Sequence, residues 1–456
     1  MRLIEHPTLK VTCHNLMADA YTDCIITLYF QGVFCQMGKF RIEGGIPLQG
    51  EIRIGGAKNA VLPILAATVL YPGITCIHDC PKIMDVLTMI RILESIGCKI
   101  KWEDRTLIVD TSTACNTEIP ADLVSEMRSS IILLGSILGR FGKIKISYPG
   151  GCSIGPRPID LHLKALKKMG VQIEEYHGYI TCKVKQLHGE KIHLDFPSVG
   201  ATENIMLAAI LAKGRTIIYN PAKEPEIVDL QNFLNQMGAT IRGAGSHIIT
   251  IEGESKLSSI EYTVIPDRII TGTYLVAAAI SGGEVLLSNV QPKHLYAVIS
   301  KLRETGCIIK EDKNYIYIQS PSKLQSVGTI RTYPHPGFPT DMQAQMMALL
   351  AVAQGTSIIS ENIFESRYKH AEELIRMGAH IQLEGRIAII TGVNKLMGTT
   401  VHAEDLRGGA ALILAGLCAE GETLVYNSKH IERGYECIDK DLQSLGARIQ
   451  KIKEEQ

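Results

Sequence analysis

The sequence predicts an α/β fold of two globules, each closed by three copies of one supersecondary unit. Three observations predict it. An octapeptide theme running from leucine through glycine to isoleucine recurs six times, at Leu93–Ile100, Leu166–Ile173, Leu234–Ile241, Leu302–Ile309, Leu374–Ile381 and Leu442–Ile449. The copies are 73, 68, 68, 72 and 68 residues apart. Upstream in every copy a glycine leads an aliphatic, strand-like run, at Gly73, Gly142, Gly214, Gly283, Gly355 and Gly421. Before each glycine lies an Ala/Leu/Ile-rich helical segment, over 59–70, 129–139, 199–212, 268–280, 341–353 and 406–418. Repetition at this period marks a unit that cannot bury its apolar face alone.

Each octapeptide reads as the last turn of a helix, a glycine stop and the start of a strand. Most lead into two short strands; in copy five these are Ile381–Leu383 and Ile387–Ile390, around a turn at Glu384-Gly385. The unit is helix–strand–helix–strand–strand, with one more strand linking it to the next. The first helix of each unit is apolar nearly all round, so its neighbours must bury it. Three units around shared helices close one globule, and six close two. A solenoid is the alternative, but no capping repeats are evident. The break is expected near Glu261–Pro266, giving a first unit of three repeats over 57–265 and a second over 37–56 plus 266–456. The strands over 39–55 could pair with either globule. A ligand site belongs in the cleft between the two.

Composition narrows the function. Apolar residues make up 46% of the 456-residue chain, and 47 Lys+Arg balance 47 Asp+Glu. Zero net charge argues against broad attraction to nucleic acid. The twelve cysteines form no CxxC pair, and Cys76 and Cys80 around His78 lack a matching second pair, so reduced thiols are expected rather than zinc ligands or disulfides. No run approaches the ~20 apolar residues that span a bilayer. Residues 1–36 read unlike the rest and lack the marks of a signal peptide, so Met37 is the expected functional start, with an extension or start-site artefact before it.

The chemistry begins in the loop Tyr148–His162. Cys152 sits among three glycines and three prolines, five residues before Arg157. Glycines open backbone geometries closed to other residues and prolines remove slack, as in a constrained active-site lid. A surface loop with an incidental thiol would be written with the same residues. Upstream, Gly55-Gly56-Ala57-Lys58-Asn59 opens a buried helix whose free N–H groups and lysine favour an anion. Arg128 precedes the second buried helix. Ser198-Val199-Gly200 opens the third, with Ser198 as its N-cap, and Asp267 caps the fourth. In Thr340-Asp341-Met342-Gln343, Thr340 and Gln343 fit a capping box, and Asp341 is both a helix-dipole acid and an exposed candidate base. Ile363-Phe364-Glu365-Ser366-Arg367, Asp405-Leu406-Arg407-Gly408-Gly409 and His430–Tyr435 complete the series. Arg128, Arg157, Arg367, Arg407 and Arg433 fall near the starts of buried helices or just after glycine-led strands, where the fold can gather them. Arginines and a lysine around one gap call for carboxylate and phosphate together.

The segments GGAKNA, PGGCSIGPRPIDLH, PSVGATE, PDR with TGT, FPTDMQAQ, FESR, DLR and HIERGYE resemble, in order, those of the UDP-N-acetylglucosamine 1-carboxyvinyltransferases, the enolpyruvyl transferase family of peptidoglycan synthesis. The resemblance runs from Met37 to the end of the chain. It implies two inside-out α/β barrels, each of three βαβαββ repeats, with the active site between them. It also implies addition of the 3-hydroxyl of UDP-N-acetylglucosamine to C2 of phosphoenolpyruvate, a proton to C3, and loss of phosphate. The shikimate-3-phosphate enolpyruvyl transferases share that fold, but they lack the cysteine loop and start on a GSK-type segment where this chain has Gly56-Ala57-Lys58. A non-catalytic repeat scaffold would explain the six copies and leave the arginines unexplained.

By likeness of position, Lys58, Arg157 and Arg433 would hold phosphoenolpyruvate, with Arg128, Arg367 and Arg407 around it. Asn59, Asp341 and Ile363 would engage the sugar nucleotide, with Asp341 as general base. Arg157, Pro158, Ile159, Asp160 and Leu161, with Ser198, Val199 and Gly200, would line the uridine diphosphate site. Cys152 would be the acid at C3, a covalent trap for phosphoenolpyruvate, or an aid to product release. Glu365 would orient Arg367 or the cysteine loop. The resemblance implies no cofactor, no metal and no nucleic-acid or membrane partner, a cytoplasmic location and a monomer. The family usually has alanine after the arginine where this chain has Gly408, an exchange that weakens the helix start by up to about 1 kcal/mol.

Overall fold

The computed structural model describes residues 38–150, 154–155 and 158–453. The expectations for residues 1–36, Cys152 and Arg157 lie outside the described residues.

Six small sheets enclose the central helices. All six follow one plan. In copy one the glycine-led strand Ile74–His78 pairs antiparallel with Thr106–Asp110, which pairs antiparallel with Lys99–Glu103. A linking strand adds parallel on the free side of the glycine-led strand. In copy two that link shrinks to one bridge between Glu118 and Lys145, which leaves a three-stranded sheet. Along these strands every second residue is buried, so one face of each sheet packs inward.

The linking strands close two rings. Glu261–Thr263, after copy three, pairs with Ile74–His78 of copy one. In the later copies the place beside Glu284–Ser288 is taken by Gln49–Arg53, from the beginning of the described chain. Gly38–Glu43 inserts between Glu422–Tyr426 and Arg448–Lys453. Both early strands therefore belong to the sheets of the later repeats.

The octapeptide glycines, Gly97, Gly170, Gly238, Gly306, Gly378 and Gly446, all have φ between +93° and +115°. Only glycine takes that conformation without strain, which is why the residue recurs at each helix-to-strand corner.

The central helices span Lys58–Thr68, Leu133–Phe141, Val199–Ala209, Arg268–Ile280, Gln343–Leu350 and Leu406–Cys418. Two of them start late, after the 3-10 turns Arg128–Ile132 and Thr340–Met342. In the last helix every residue from Leu406 to Leu417 is buried. Helices inside and sheets outside make each ring an inside-out barrel. Two apolar cores result, one within 57–264 and one drawn from 40–54 and 269–449. A Cβ on Gly409 would stand 2.6 Å from Ile431 Cγ1 and 2.8 Å from Ala403 Cβ, so this glycine permits the packing of the last copy.

Two chain crossings join the rings and run side by side. Ala57 N–H donates to the Ile265 carbonyl at 2.7 Å, and Asp267 N–H to that of Gly55 at 3.0 Å. Ser198 caps its helix through Ala201 N–H, and Asp267 caps through Ile269 and Ile270 N–H. The expected capping box at Thr340 does not form. Its hydroxyl donates to Glu361, and the buried Gln343 side chain does not reach back to Thr340, because a 3-10 turn replaces the first α-turn there. No helix among the described residues is long and apolar enough to cross a membrane.

Candidate active site

Between the rings lies a cleft of about 780 Å³, open on one side. The amino ends of central helices from both rings point into it. That explains why the polar residues flagged in the sequence fall at helix starts: only there does a buried helix reach solvent and a ligand.

On the side of the later repeats, Asp341 is clasped by two buried arginines. Arg367 Nη2 lies 2.7 Å from Oδ1 and Arg407 Nη2 lies 3.0 Å from Oδ2. Burial alone would favour the neutral acid, but Arg407 and Arg367 hold this carboxyl far below the usual carboxylate range. The clasp is braced from behind by Glu361, which is fully buried. Its two oxygens accept from the hydroxyls of Thr332 and Thr340 and from the N–H groups of Ile363 and Phe364. Thr340 Oγ1 in turn accepts from Arg367 Nη1 at 2.8 Å.

A second clasp joins the rings. Asp85, in the first turn of the outer helix Met84–Ser95, receives Lys58 Nζ on Oδ2 at 2.6 Å and Arg433 Nε on Oδ1 at 2.9 Å. Burial works against the Asp85 charge, and Lys58 and Arg433 overcome it, so its carboxyl is also held low. Burial pushes the Lys58 ammonium down; Asp85 opposes that shift, and Arg407 and Arg433 add to it. Four cations, Lys58, Arg367, Arg407 and Arg433, thus meet around two carboxylates.

From the earlier repeats come Asn59 and Arg128, whose Nη1 reaches the Pro149 carbonyl at 3.5 Å and so ties it to the start of the cysteine loop. The far arm of that loop crosses the cleft: Ser366 N–H donates to the Ile154 carbonyl at 3.1 Å, and Gly155, at φ +123°, packs on Glu365. Pro158, Asp160 and Leu161 line the cleft beside Ser198, Val199 and Gly200. A Cβ on Gly200 would stand 2.9 Å from the His162 ring, so glycine is required where the two segments meet.

One expectation needs correction. Ile159 does not line the cleft; its side chain is buried among apolar ones, because it closes the turn before helix Asp160–Lys168. Of the two places expected for Glu365 the structure has it beside the cysteine loop, against Gly155, with its carboxylate on Arg386 at 2.7 Å, while the Arg367 Nη groups are taken by Thr340 and Asp341. Ile363, Arg367, Arg407 and Arg433 all reach the cleft.

A sequence profile of the EPSP synthase (3-phosphoshikimate 1-carboxyvinyltransferase) family matches residues 42–442. The UDP-N-acetylglucosamine 1-carboxyvinyltransferase 2 of Caldanaerobacter subterraneus subsp. tengcongensis is 56% identical over 416 residues, covering 91% of this chain and 100% of the relative. The chain belongs to the enolpyruvyl transferase family. Its fold is that of the enolpyruvyl transferase NikO from Streptomyces tendae, with a TM-score of 0.83 at 25% identity over 92% of this chain and 100% of that one. EPSP synthase from Acinetobacter baumannii, at 18% identity, shares the fold with a TM-score of 0.72 over 91% of this chain and 100% of its own.

In this enolpyruvyl transferase the sequence reading missed Asp85, Glu361 and an acidic wall of Glu203, Glu224 and Glu226. Burial raises the carboxyls of Glu203 and Glu224, with Glu226 adding to the rise, while Glu226 Oε1 pairs with Arg268 Nε at 2.9 Å. The Pro266-Asp267-Arg268 charge pair was the available signal for that wall. Asp85 offered none, since its partners lie 27 and 348 residues away.

Proposed function

We propose that this chain transfers the enolpyruvyl group of phosphoenolpyruvate to the 3-hydroxyl of UDP-N-acetylglucosamine, releasing phosphate, in the first committed step of peptidoglycan synthesis. The observation that carries the reading is the meeting of Lys58, Arg367, Arg407 and Arg433 around two carboxylates in one cleft. Full-length similarity to a transferase named for this reaction supports it. Phosphoenolpyruvate brings about three negative charges on two groups, which suits a cleft where a lysine and three arginines converge.

The sugar hydroxyl adds to C2 while a proton reaches C3; the resulting ketal carries phosphate on C2, and its loss, with the C3 proton, restores the double bond. Lys58, Arg157 and Arg433 hold the phosphate and carboxylate, with Arg128, Arg367 and Arg407 completing the anionic pocket. Lys58 is the cation most readily discharged, since burial and neighbouring guanidinium groups lower its pKa. Asn59 and Ile363 position the sugar, and Asp341 accepts the hydroxyl proton. Free, Asp341 is a weak base. An incoming anion draws Arg367 and Arg407 partly onto itself, which makes the carboxylate more basic when the hydroxyl is in place. Pro158, Asp160, Leu161, Ser198, Val199 and Gly200 take the uridine diphosphate. Cys152 delivers the C3 proton or captures phosphoenolpyruvate. Highly charged, water-borne substrates support a cytoplasmic site of action, with the chain acting as a monomer.

Phosphate release, measured with phosphoenolpyruvate and either UDP-N-acetylglucosamine or shikimate-3-phosphate, tests the reading. Release is expected with the nucleotide sugar. Release with shikimate-3-phosphate alone would overturn it.

A further inference from the structure

Behind the Asp341 clasp lies a chain of buried polar groups that the reaction outlined above does not use. Arg407 Nη1 reaches Tyr435 Oη at 3.4 Å, Tyr435 Oη lies 2.8 Å from Thr273 Oγ1, and Gln345 Nε2 reaches the same Thr273 oxygen at 3.2 Å. Tyr435 is 1% exposed, and Thr273 and Gln345 are wholly buried, so no solvent competes for these groups.

The direction of each bond follows from counting protons. The Thr273 hydroxyl has one proton, and it sits 2.8 Å from the Ile269 carbonyl one turn back in its helix, which can only accept. Thr273 Oγ1 therefore accepts from Gln345 and from Tyr435. The phenol proton is thereby committed to Thr273, and the Tyr435 oxygen turns its lone pairs to Arg407. A guanidinium has no acceptor, so this is the polarity that satisfies the phenol, the Thr273 hydroxyl and the guanidinium together, while Gln345 Oε1 has no partner among the described residues.

We infer that Tyr435 is a positioning residue for phosphoenolpyruvate: its oxygen, locked as an acceptor by Thr273, fixes one edge of the Arg407 guanidinium so that the other serves Asp341 and the incoming anion. The inference rests on the proposed reaction, in which Arg407 belongs to the phosphoenolpyruvate pocket. Without the phenol oxygen Arg407 keeps its charge and loses its aim. Without the Thr273 hydroxyl the phenol is free to turn its proton toward Arg407, so loss of either group has the same result.

Tyr435→Phe, Thr273→Val and Thr273→Ser test this, with steady-state kinetics for both substrates and melting temperature. Tyr435→Phe is expected to raise KM for phosphoenolpyruvate about tenfold, the scale of one hydrogen bond to a charged group, while KM for the nucleotide sugar changes less than about twofold. Thr273→Val should do the same, the two changes together should add little, and Thr273→Ser should restore the wild-type value. An unchanged KM for phosphoenolpyruvate in Tyr435→Phe, or an equal rise for both substrates, overturns the inference; should Tyr435→Phe fail to fold, the Thr273 pair decides. The stabilising thermal shift produced by phosphoenolpyruvate alone, expected to shrink in Tyr435→Phe, reads the same point without turnover. A wild-type protein that shows this shift but no phosphate release defeats the proposed reaction and not the role of Tyr435.

Discussion

Asp85 Oδ1 accepts from Arg433 Nε at 2.9 Å, joining the first turn of an outer helix in the earlier ring to the last copy of the later one. Its other oxygen holds Lys58, so one carboxylate keeps two cations of different rings at ligand-binding distance from each other. Asp85→Asn removes the carboxylate that the buried Lys58 ammonium and Arg433 share. The expected result is a loss of about 3 kcal/mol in urea unfolding, with part of it recovered by millimolar inorganic phosphate, which can stand in for the lost charge. A variant as stable as the parent in phosphate-free buffer would show that the pair contributes nothing.

Asp341 is the acceptor between Arg367 and Arg407. Asp341→Asn keeps the shape and removes the negative charge and most of the basicity. Turnover should fall by about a hundredfold or more, and the kcat effect should exceed the effect on KM for phosphoenolpyruvate. Rapid-quench measurement of ketal formation separates this from slow product release.

Four of the described cysteines, Cys80, Cys98, Cys182 and Cys307, are poor nucleophiles by position. Burial pushes the thiols of Cys98 and Cys182 up to about 12, and Cys80 and Cys307 are also raised and buried. The sequence places Cys152 among the cations of an anion-binding loop, where a lowered thiol pKa is expected. Fosfomycin, an epoxide carrying a phosphonate, should therefore inactivate the protein with one adduct, at Cys152 by peptide mass spectrometry, and leave Cys152→Ser unlabelled. The alkylation rate of Cys152 should level off below the pH of an ordinary thiol.

Asp229 gives a pH signature unrelated to turnover. Burial raises its carboxyl to about 6 despite hydrogen bonds from Tyr262 and Ile265. The folded chain then binds a proton at Asp229 that the unfolded chain, at its ordinary value of 3.8, has released. Stability falls as pH rises through that window, and the loss is complete above pH 6. Asp229→Asn keeps an acceptor for Tyr262 and removes the ionisation. It should match the parent near pH 4 and exceed it by about 2 kcal/mol at pH 7.5 in urea unfolding.

What could be read from the chain alone was whatever is local and repeated. Leucine, glycine and isoleucine at Leu93, Gly97 and Ile100 report a helix end, a left-handed corner and a partly buried strand residue within one octapeptide, and six copies remove the ambiguity of one. Ser198 and Asp267 were legible as caps because a cap bonds two or three residues ahead. Thr340 was misread for the same reason in reverse: its local sequence satisfies a capping box, but Glu361, 21 residues on, competes for the hydroxyl. Ile159 stands within a polar motif, yet its side chain alternates inward. Asp85 acts through Lys58 and Arg433, 27 and 348 residues away, and Glu361 reaches Thr332 and Thr340 as well as the nearby N–H groups of Ile363 and Phe364, so no single spacing in the sequence encodes either role.

Among the described residues the strand Gly38–Glu43 pairs only with Glu422–Tyr426 and Arg448–Lys453. During synthesis the earlier ring can close once Glu261–Thr263 has emerged to meet Ile74–His78, while the ribosome still holds most of the later one. Gly38–Glu43 must wait, edges unpaired, until Glu422–Tyr426 and Arg448–Lys453 have left the exit tunnel. Order of birth and order of assembly are opposed in this polypeptide, and the interval between them is when it is most exposed to wrong pairings and to chaperones.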